Sequence, residues 1–225
     1  MKAKTIQARS AAGVGFELAK VLGDGYQPTL AFVFLTNDLY IRDITAILAE
    51  RGIAVIGATA AAGFIDGEYH DDSYVVILLV DMNPSSFRVL YEKVATPDET
   101  GVMAKHMAAE ALESFADPAF IVLASGKNIE MEELIRNIEA GLDKTVFISG
   151  ARAANSSFSD QTLVFTADAV LDSGIIVLTI DRAKVSISGL TSHGWKPLGN
   201  EHVVTKSSGR TVYAIDGEPA LNVFI

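Results

Sequence analysis

The sequence contains no cysteine among its 225 residues. This absence excludes disulfide bonds, thiolate metal sites and cysteine nucleophiles, and it suits a reducing compartment. The first residues, MKAKTIQARS, lack the apolar core of a secretory signal peptide. The longest strongly apolar run, YVVILLV over residues 74–80, is far shorter than the roughly 20 residues that a membrane-spanning helix needs. The sequence therefore predicts a soluble, cytoplasmic protein.

Positive charge is also scarce. The chain has 18 lysines and arginines against 28 aspartates and glutamates, for a formal net charge of −10. No cluster of basic residues interrupts this acidic balance, so a phosphate backbone would be repelled rather than attracted. We therefore expect neither nucleic acid nor an anionic membrane as a partner.

The common catalytic and cofactor motifs are missing. The sequence has no G-x-S-x-G, no H-E-x-x-H and no G-x-x-x-x-G-K-[ST], which removes support for an esterase, a zinc protease or a P-loop protein. The nearest approach to a dinucleotide fingerprint is Gly13-Val14-Gly15, where Leu18 occupies the position of the third glycine. The sequence predicts no cofactor.

An acidic cluster offers oxygen and imidazole groups of the kind that bind divalent ions. Glycine and aspartate are also ordinary turn residues, so a solvated loop between two strands is the favoured interpretation and no metal site is predicted. The cluster consists of Asp66, Glu68, His70, Asp71 and Asp72.

One order of features occurs twice along the chain. AFVFLTNDLYIRDITAILAERGIAVIGATAAAGF begins at Ala31, and AFIVLASGKNIEMEELIRNIEAGLDKTVFISGARAANSSF begins at Ala119. Each predicts an apolar strand, an amphipathic helix, a second strand and then a glycine, Gly57 or Gly150. Apolar strands that open at residues 72–73 and 172–173 follow at equivalent places. We expect a further strand after each, over residues 87–94 and 185–190.

Helix signals support this interpretation. Thr96-Pro97-Asp98-Glu99 is a capping box with proline at the first helical position, and it opens a predicted helix that extends to Phe115. Its weaker counterpart before the first repeat covers residues 11–22. The two amphipathic helices of the repeats follow Asn37 and Asn128, and glycines mark their ends.

These signals predict an α/β fold of the mixed α+β kind. Two duplicated helix-strand-helix-strand-strand-strand units form a mixed sheet or sheets covered by helices. HVVTK and RTVYAI flank Ser207-Ser208-Gly209, which predicts a carboxyl-terminal antiparallel hairpin. We expect a single domain over residues 1–225, with repeats at about 1–94 and 95–191 and a hairpin segment at 192–225.

Several stretches resemble the FIST family (F-box and intracellular signal transduction proteins). They are GATAAAGFIDGEY with DDSYVVILLV, FISGARAANSSFSDQTLVF with DSGIIVLTI, and SHGWKPLGNEHVVTKSSGRTVYAIDGEPALNVF. The closing stretch is the most specific. The resemblance runs from about Ala31 to the carboxyl terminus and implies an amino-terminal FIST domain. It also implies a sensory input module of bacterial signalling that binds small ligands such as amino acids.

The chain departs from the family at both glycine loops. Alanines occupy residues 60–62, where many relatives carry serine, glycine or glutamate, and residues 149–155 read SGARAAN instead of a small and an acidic residue after the glycine. Ligand preference is therefore expected to differ. The resemblance implies a carboxyl-terminal FIST domain or a downstream signalling protein as partner, so the chain is either a stand-alone module or part of a longer protein. A homo-oligomer is also compatible with it.

The two glycine loops are the first candidate site. Gly57, Ala58 and Thr59 end one predicted buried strand, and Gly150, Ala151 and Arg152 end the other. In α/β sheets ligands bind outside the carboxyl ends of strands, where small residues let backbone amides approach an anion. The alternative is that these small residues only allow close packing of neighbouring elements.

Two polar side chains strengthen the second loop. Arg152 has the geometry to hold a carboxylate through two hydrogen bonds, and Asn155 adds an amide. An arginine in a loop is also commonly a solvated charge or a surface ion pair.

The stretch SHGWKPLG, residues 192–199, contains the only tryptophan. Trp195 offers an apolar face with one donor, and His193 exchanges donor and acceptor roles. These side chains suit a ligand pocket, and equally Trp195 and Pro197 suit a packed corner before the final hairpin.

Three functions remain open at this point. A non-catalytic sensor of a small polar ligand, an amino acid or organic acid, ranks first. It would act by a conformational or interface change. A small hydrolase or transferase with His193 as general base is the alternative, but it lacks a recognisable nucleophile. A purely structural interaction module would respond to no small ligand.

Overall fold

The computed structural model describes residues 1–36, 38–65, 67–70, 74–155, 161–190, 194–209 and 211–224. The chain forms two compact units, Met1–Gly189 and Leu190–Ile225. The first unit contains the four long helices and the two larger sheets. The second unit contains a small antiparallel sheet and a short helix.

The helices of the first unit confirm all four sequence predictions. They are α1 (Ala11–Gly23), α2 (Ile41–Ala49), α3 (Glu99–Ser114) and α4 (Met131–Leu142). The predicted capping box also forms in part, because the Glu99 carboxylate accepts hydrogen bonds from the amides of Ala95 at 2.8 Å and Thr96 at 3.4 Å. The bond from Ala95 is the main cause that lowers the pKa of Glu99.

The strands of the first unit belong to two larger sheets and one short hairpin. In chain order they are β1 (Lys2–Ala8), β2 (Leu30–Leu35), β3 (Ala54–Thr59), β4 (Gly63–Ile65), β5 (Glu68–His70), β6 (Val75–Asp81), β7 (Phe87–Lys93), β8 (Pro118–Ser125), β9 (Ile148–Arg152), β10 (Val164–Phe165), β11 (Val170–Leu171) and β12 (Gly174–Asp181). The first sheet has the order β1-β6-β2-β3-β10-β11, and the second has the order β7-β12-β8-β9. Strands β4 and β5 form the separate hairpin.

The two sheets share one pattern of strand pairing. In each, a parallel pair, β2 with β3 or β8 with β9, is followed outward by an antiparallel strand, β6 or β12. The outermost strands, β1 and β7, then pair antiparallel with β6 and β12. Strand β7 thus occupies in the second sheet the place of β1 in the first. The limits of the two predicted repeats stay a prediction, but this pairing groups β7 with the second set of strands.

The register identifies which residues are equivalent. Val33 lies opposite Gly57 in the first sheet, and Val122 lies opposite Gly150 in the second. Val33 lies two residues after Ala31, whereas Val122 lies three residues after Ala119. The two similar segments that begin at Ala31 and Ala119 are therefore shifted by one residue relative to their strand pairing. Ala31 packs against the helices, whereas Ala119 packs between the sheets, as expected because a one-residue shift moves a side chain to the other face.

The first unit has four layers: helices, sheet, sheet and helices. One apolar cluster joins α1 and α2 to the outer face of the first sheet, and a second joins α3 and α4 to the outer face of the other. A third cluster lies between the inner faces of the two sheets. Strand β12 is buried on both faces, which explains its continuous apolar run. Strand β6 is buried on its helix-facing side, whereas Leu78 on its other face is 36% exposed.

The predicted strand over residues 185–190 is wrong, because these residues form no regular secondary structure. The predicted strand at 87–94 is confirmed as β7. Mixed sheets covered by helices are also confirmed.

The second unit contains the predicted antiparallel hairpin. It has the strands β13 (Val204–Ser208), β14 (Thr211–Ile215) and β15 (Glu218–Pro219), followed by α5 (Ala220–Phe224). Asp216 and Gly217, both with positive φ, form the turn between β14 and β15. The Asp216 carboxylate accepts a bond from the Val203 amide at 2.8 Å and lies 2.6 Å from Nδ1 of His202. Asp216, which follows β14, is therefore bonded to the two residues that precede β13, at the open end of the hairpin.

We predict that Gly150→Ala lowers the free energy of unfolding by about 2–3 kcal/mol. A Cβ at this position would lie 2.0 Å from the Val122 carbonyl oxygen, which is backbone of the adjacent strand and cannot rotate away. Gly23→Ala is the control, because a Cβ there meets nothing within 4 Å and alanine favours a helix. Urea unfolding measures both. Equal stability of the two variants would contradict the close approach of β8 and β9.

We predict that protonation of the Asp216 carboxylate at low pH destabilises the hairpin of the second unit. The Val203 amide, and then His202, hold the pKa of Asp216 below its usual 3.8. The resulting stabilisation is complete above that usual value and is lost as pH falls through the lower folded pKa. Asp216→Asn should abolish this acid transition.

Amide exchange at Val203 and Gly217 between about pH 5 and pH 2 measures this loss. The control is Glu201→Gln, because Glu201 is an exposed carboxylate of the same unit. An acid transition that is unchanged in Asp216→Asn would contradict the assignment.

Candidate functional site at the carboxyl ends of the parallel strands

The two predicted glycine loops meet in the structure. Strands β2 and β3 are parallel, so their carboxyl ends lie at one edge, and the same holds for β8 and β9. The Ala154 amide, two residues beyond β9, donates to the Thr59 carbonyl at the end of β3, at 3.0 Å. This bond joins the loop of the second sheet to a strand of the first. We call this region the junction; it comprises residues 57–62, 125–126, 150–155 and 161–165.

A third segment passes through the junction. The Leu163 amide donates to Oγ1 of Thr59 at 2.9 Å, and the Thr59 amide donates to the Leu163 carbonyl at the same distance. Oγ of Ser125, at the end of β8, donates to the carbonyl of Thr162 at 2.5 Å. Both hydroxyls are almost fully buried. Residues 162–163 therefore connect the carboxyl ends of β3 and β8.

Close packing explains both glycines. A Cβ on Gly57 would lie 2.2 Å from Cε2 of Phe165, and one on Gly150 would overlap the Val122 carbonyl. Gly57 is buried together with Ala58 and Thr59, which is 3% exposed. Close packing of neighbouring elements, the alternative to ligand binding in the sequence analysis, thus accounts for these glycines. Their role in ligand binding stays a prediction.

Arg152 is held by backbone carbonyls. Its Nη1 donates to the Ile129 carbonyl at 2.6 Å, and its Nη2 donates to the Gly126 carbonyl. Both acceptors belong to the connection between β8 and α4. Two of the five N–H donors of a guanidinium are therefore used to fix this connection. The neighbouring Ala151 and Asn155 are exposed.

The SHGWKPLG stretch belongs to the second unit. His193 lies outside the described residues. Trp195 is 85% exposed and Leu198 is 93% exposed, so the tryptophan does not anchor a packed corner. That alternative is wrong, and a ligand contact of His193 or Trp195 stays a prediction.

The predicted loop with the acidic cluster is only partly described, since Asp66, Asp71 and Asp72 lie outside the described residues. Within the described part of the chain, no group of three or more metal-binding side chains occurs. No helix in that part is long and apolar enough to cross a membrane.

Sequence analysis missed a cavity at the opposite, amino-terminal ends of β2 and β8. It has a volume of about 710 Å³, within the usual size of small-ligand sites. Its lining comes from four separate segments, at residues 1–2, 25–29, 81–86 and 184–185. No motif marks it, because each segment contributes only two to five residues.

The layers and the junction define an α/β domain in which loops of two helix-covered sheets meet. The chain belongs to the FIST N domain family, whose sequence model matches residues 29–218. This family is a signal-transduction-associated sensory domain family and is not known as an enzyme family. No curated protein matches the sequence.

We predict that Arg152→Lys lowers the free energy of unfolding by about 1–2 kcal/mol, because lysine cannot reach two carbonyls in the guanidinium geometry. Amide exchange should accelerate at residues 126–130 and remain unchanged at residues 76–80. Arg136→Lys, an exposed arginine on α4 that pairs with Glu132, should change neither measurement. Identical exchange in Arg152→Lys and the wild type would contradict the contact with Gly126 and Ile129.

Proposed function

We propose that this protein is a sensory input domain that binds a small polar ligand, an amino acid or organic acid, at the junction. The observation that carries the proposal is the hydrogen bond from the Ala154 amide to the Thr59 carbonyl. It makes one surface from loops that belong to different sheets. A ligand that contacts both loops would change how the sheets are held at this edge, which is the differential interaction that a sensor requires.

The exposed side chains of the second loop provide the recognition chemistry. The Arg152 guanidinium retains N–H donors beyond the two that bind carbonyls. Asn155 offers an amide donor and acceptor three residues further on. A ligand carboxylate at Arg152 with a second polar group at Asn155 matches an amino acid or an organic acid. His193 and Trp195 belong to the second unit, and their predicted ligand contact is not needed for a site at the junction.

The second unit would transmit the signal. Large apolar side chains are exposed there, including Trp195, Leu198 and Leu221. Exposed apolar groups in this number favour contact with another protein surface. We propose a downstream signalling protein or a carboxyl-terminal FIST domain as the partner. Binding at the junction would change the affinity for that partner by a coupling free energy.

A thermal-shift screen against the 20 amino acids and a panel of organic acids tests the proposal. A ligand at about 100 times its Kd stabilises the native state by about 2.7 kcal/mol. For a chain of this length we expect an increase in Tm of about 5–10 °C. At least one compound should produce it.

Arg152→Lys should reduce the affinity for that compound at least tenfold, whereas Arg136→Lys should not, since both variants keep the charge. Amide shifts caused by the compound should occur at residues 59–62 and 150–155. A screen without any shift, or a shift that Arg152→Lys leaves intact, would contradict a ligand site at the junction.

A further inference from the structure

Among the described residues, one buried hydroxyl has no hydrogen-bond partner. Nine polar or charged residues of the described chain are buried, and eight of them use their side chains in hydrogen bonds. The exception is Ser86, which is 2% exposed and whose hydroxyl bonds to no described residue. A buried polar group without a partner destabilises a protein, so it requires an explanation.

Ser86 lines the 710 Å³ cavity at the amino-terminal ends of the strands. It lies in the short connection that carries the chain from β6 of the first sheet to β7 of the second. The cavity therefore opens where the two sheets are joined covalently. It is at the opposite ends of β2 and β8 from the junction, so it is a separate site.

Three further polar groups of the cavity have no partner within the described part of the chain. Lys2 is exposed and forms no ion pair within the described chain, and the same holds for the half-buried Asp81. Oδ1 of Asn83 accepts a bond from the Ser85 amide, which leaves the amide NH₂ of Asn83 without a protein acceptor among the described residues. Lys184 also lines the cavity and pairs with Asp181 at 3.3 Å.

Other groups in the cavity are already satisfied and form its rigid wall. The Tyr26 hydroxyl donates to the Leu79 carbonyl at 2.8 Å and to the Lys2 carbonyl at 3.1 Å. Burial raises the pKa of Tyr26 above its ordinary value, so the phenol remains a neutral donor. Thr29 accepts from the Met82 amide at 3.1 Å. These bonds hold the wall in place without a ligand.

We propose that this cavity binds a small organic anion that also carries hydroxyl groups. The ammonium groups of Lys2 and Lys184 attract the anionic end in a protein that is otherwise strongly acidic. Asp81 accepts hydrogen bonds from ligand hydroxyls, which disfavours a ligand that carries only negative charge. Ser86 and the Asn83 amide supply the remaining hydrogen bonds. The anionic end is a carboxylate or a phosphate, since lysine binds both as a point charge.

The test titrates the full chain with two probes, D-gluconate for a carboxylate and glycerol 3-phosphate for a phosphate. Glycerol, which has hydroxyls without charge, is the control probe. Amide shifts in two-dimensional NMR report the site. We expect at least one anion to move the amides of residues 82, 83, 85 and 86 below about 10 mM.

Three variants sharpen the result. Lys2→Met should weaken the binding about tenfold, and Lys105→Met, an exposed lysine on α3, should not change it. Ser86→Ala should weaken binding at least threefold. It should leave the Tm of the free protein unchanged or raised, because the lost hydroxyl had no protein partner.

Two results would overturn the proposal. One is that neither anion moves residues 82–86, or that glycerol moves them equally. The other is that Ser86→Ala lowers the Tm of the free protein, which would show that the hydroxyl is bonded within the chain. Because the junction amides are read in the same spectra, failure at this cavity and failure of the junction site are distinguishable.

Discussion

The apolar layer between the two sheets is the constraint on which the first unit depends. Strand β12 faces helices on one side and the opposite sheet on the other, so both of its faces must be apolar. Two sheets pack in this way only if their inner faces stay dry. Polar chemistry is therefore confined to the two ends of the strands, at the junction and at the amino-terminal cavity.

The two ends of this layered structure differ in how polar groups are satisfied. At the junction, Thr59 and Ser125 are buried, and each is bonded to the segment at residues 162–163. Hydrogen bonds there connect strands of different sheets and leave Arg152 and Asn155 at the surface. At the other end, Ser86 is buried, has no hydrogen-bond partner for its hydroxyl among the described residues, and lines an open cavity. The polar groups of the junction are thus bonded within the protein, whereas the Ser86 hydroxyl faces the cavity.

The two sheets share a pattern of strand pairing, but their sites differ. Thr59 in the first sheet and Arg152 in the second are at equivalent positions, because each lies two residues beyond a glycine that pairs with a valine. In the first sheet the residue is a buried hydroxyl that holds Leu163. In the second it is an exposed guanidinium that holds the β8–α4 connection. The same backbone geometry therefore supports two different contacts.

Local patterns were enough to predict the four long helices, the longer strands of the repeats and the final hairpin, because each depends on spacing within a short segment. The sequence resemblance was enough to identify the family. Only the tertiary structure placed Ala31 and Ala119 on opposite faces, left residues 185–190 without a strand and exposed Trp195, because register and burial depend on the partner strand and not on the residue itself. It also assembled the cavity at Ser86 from four segments distant in the chain, an arrangement that no local spacing records.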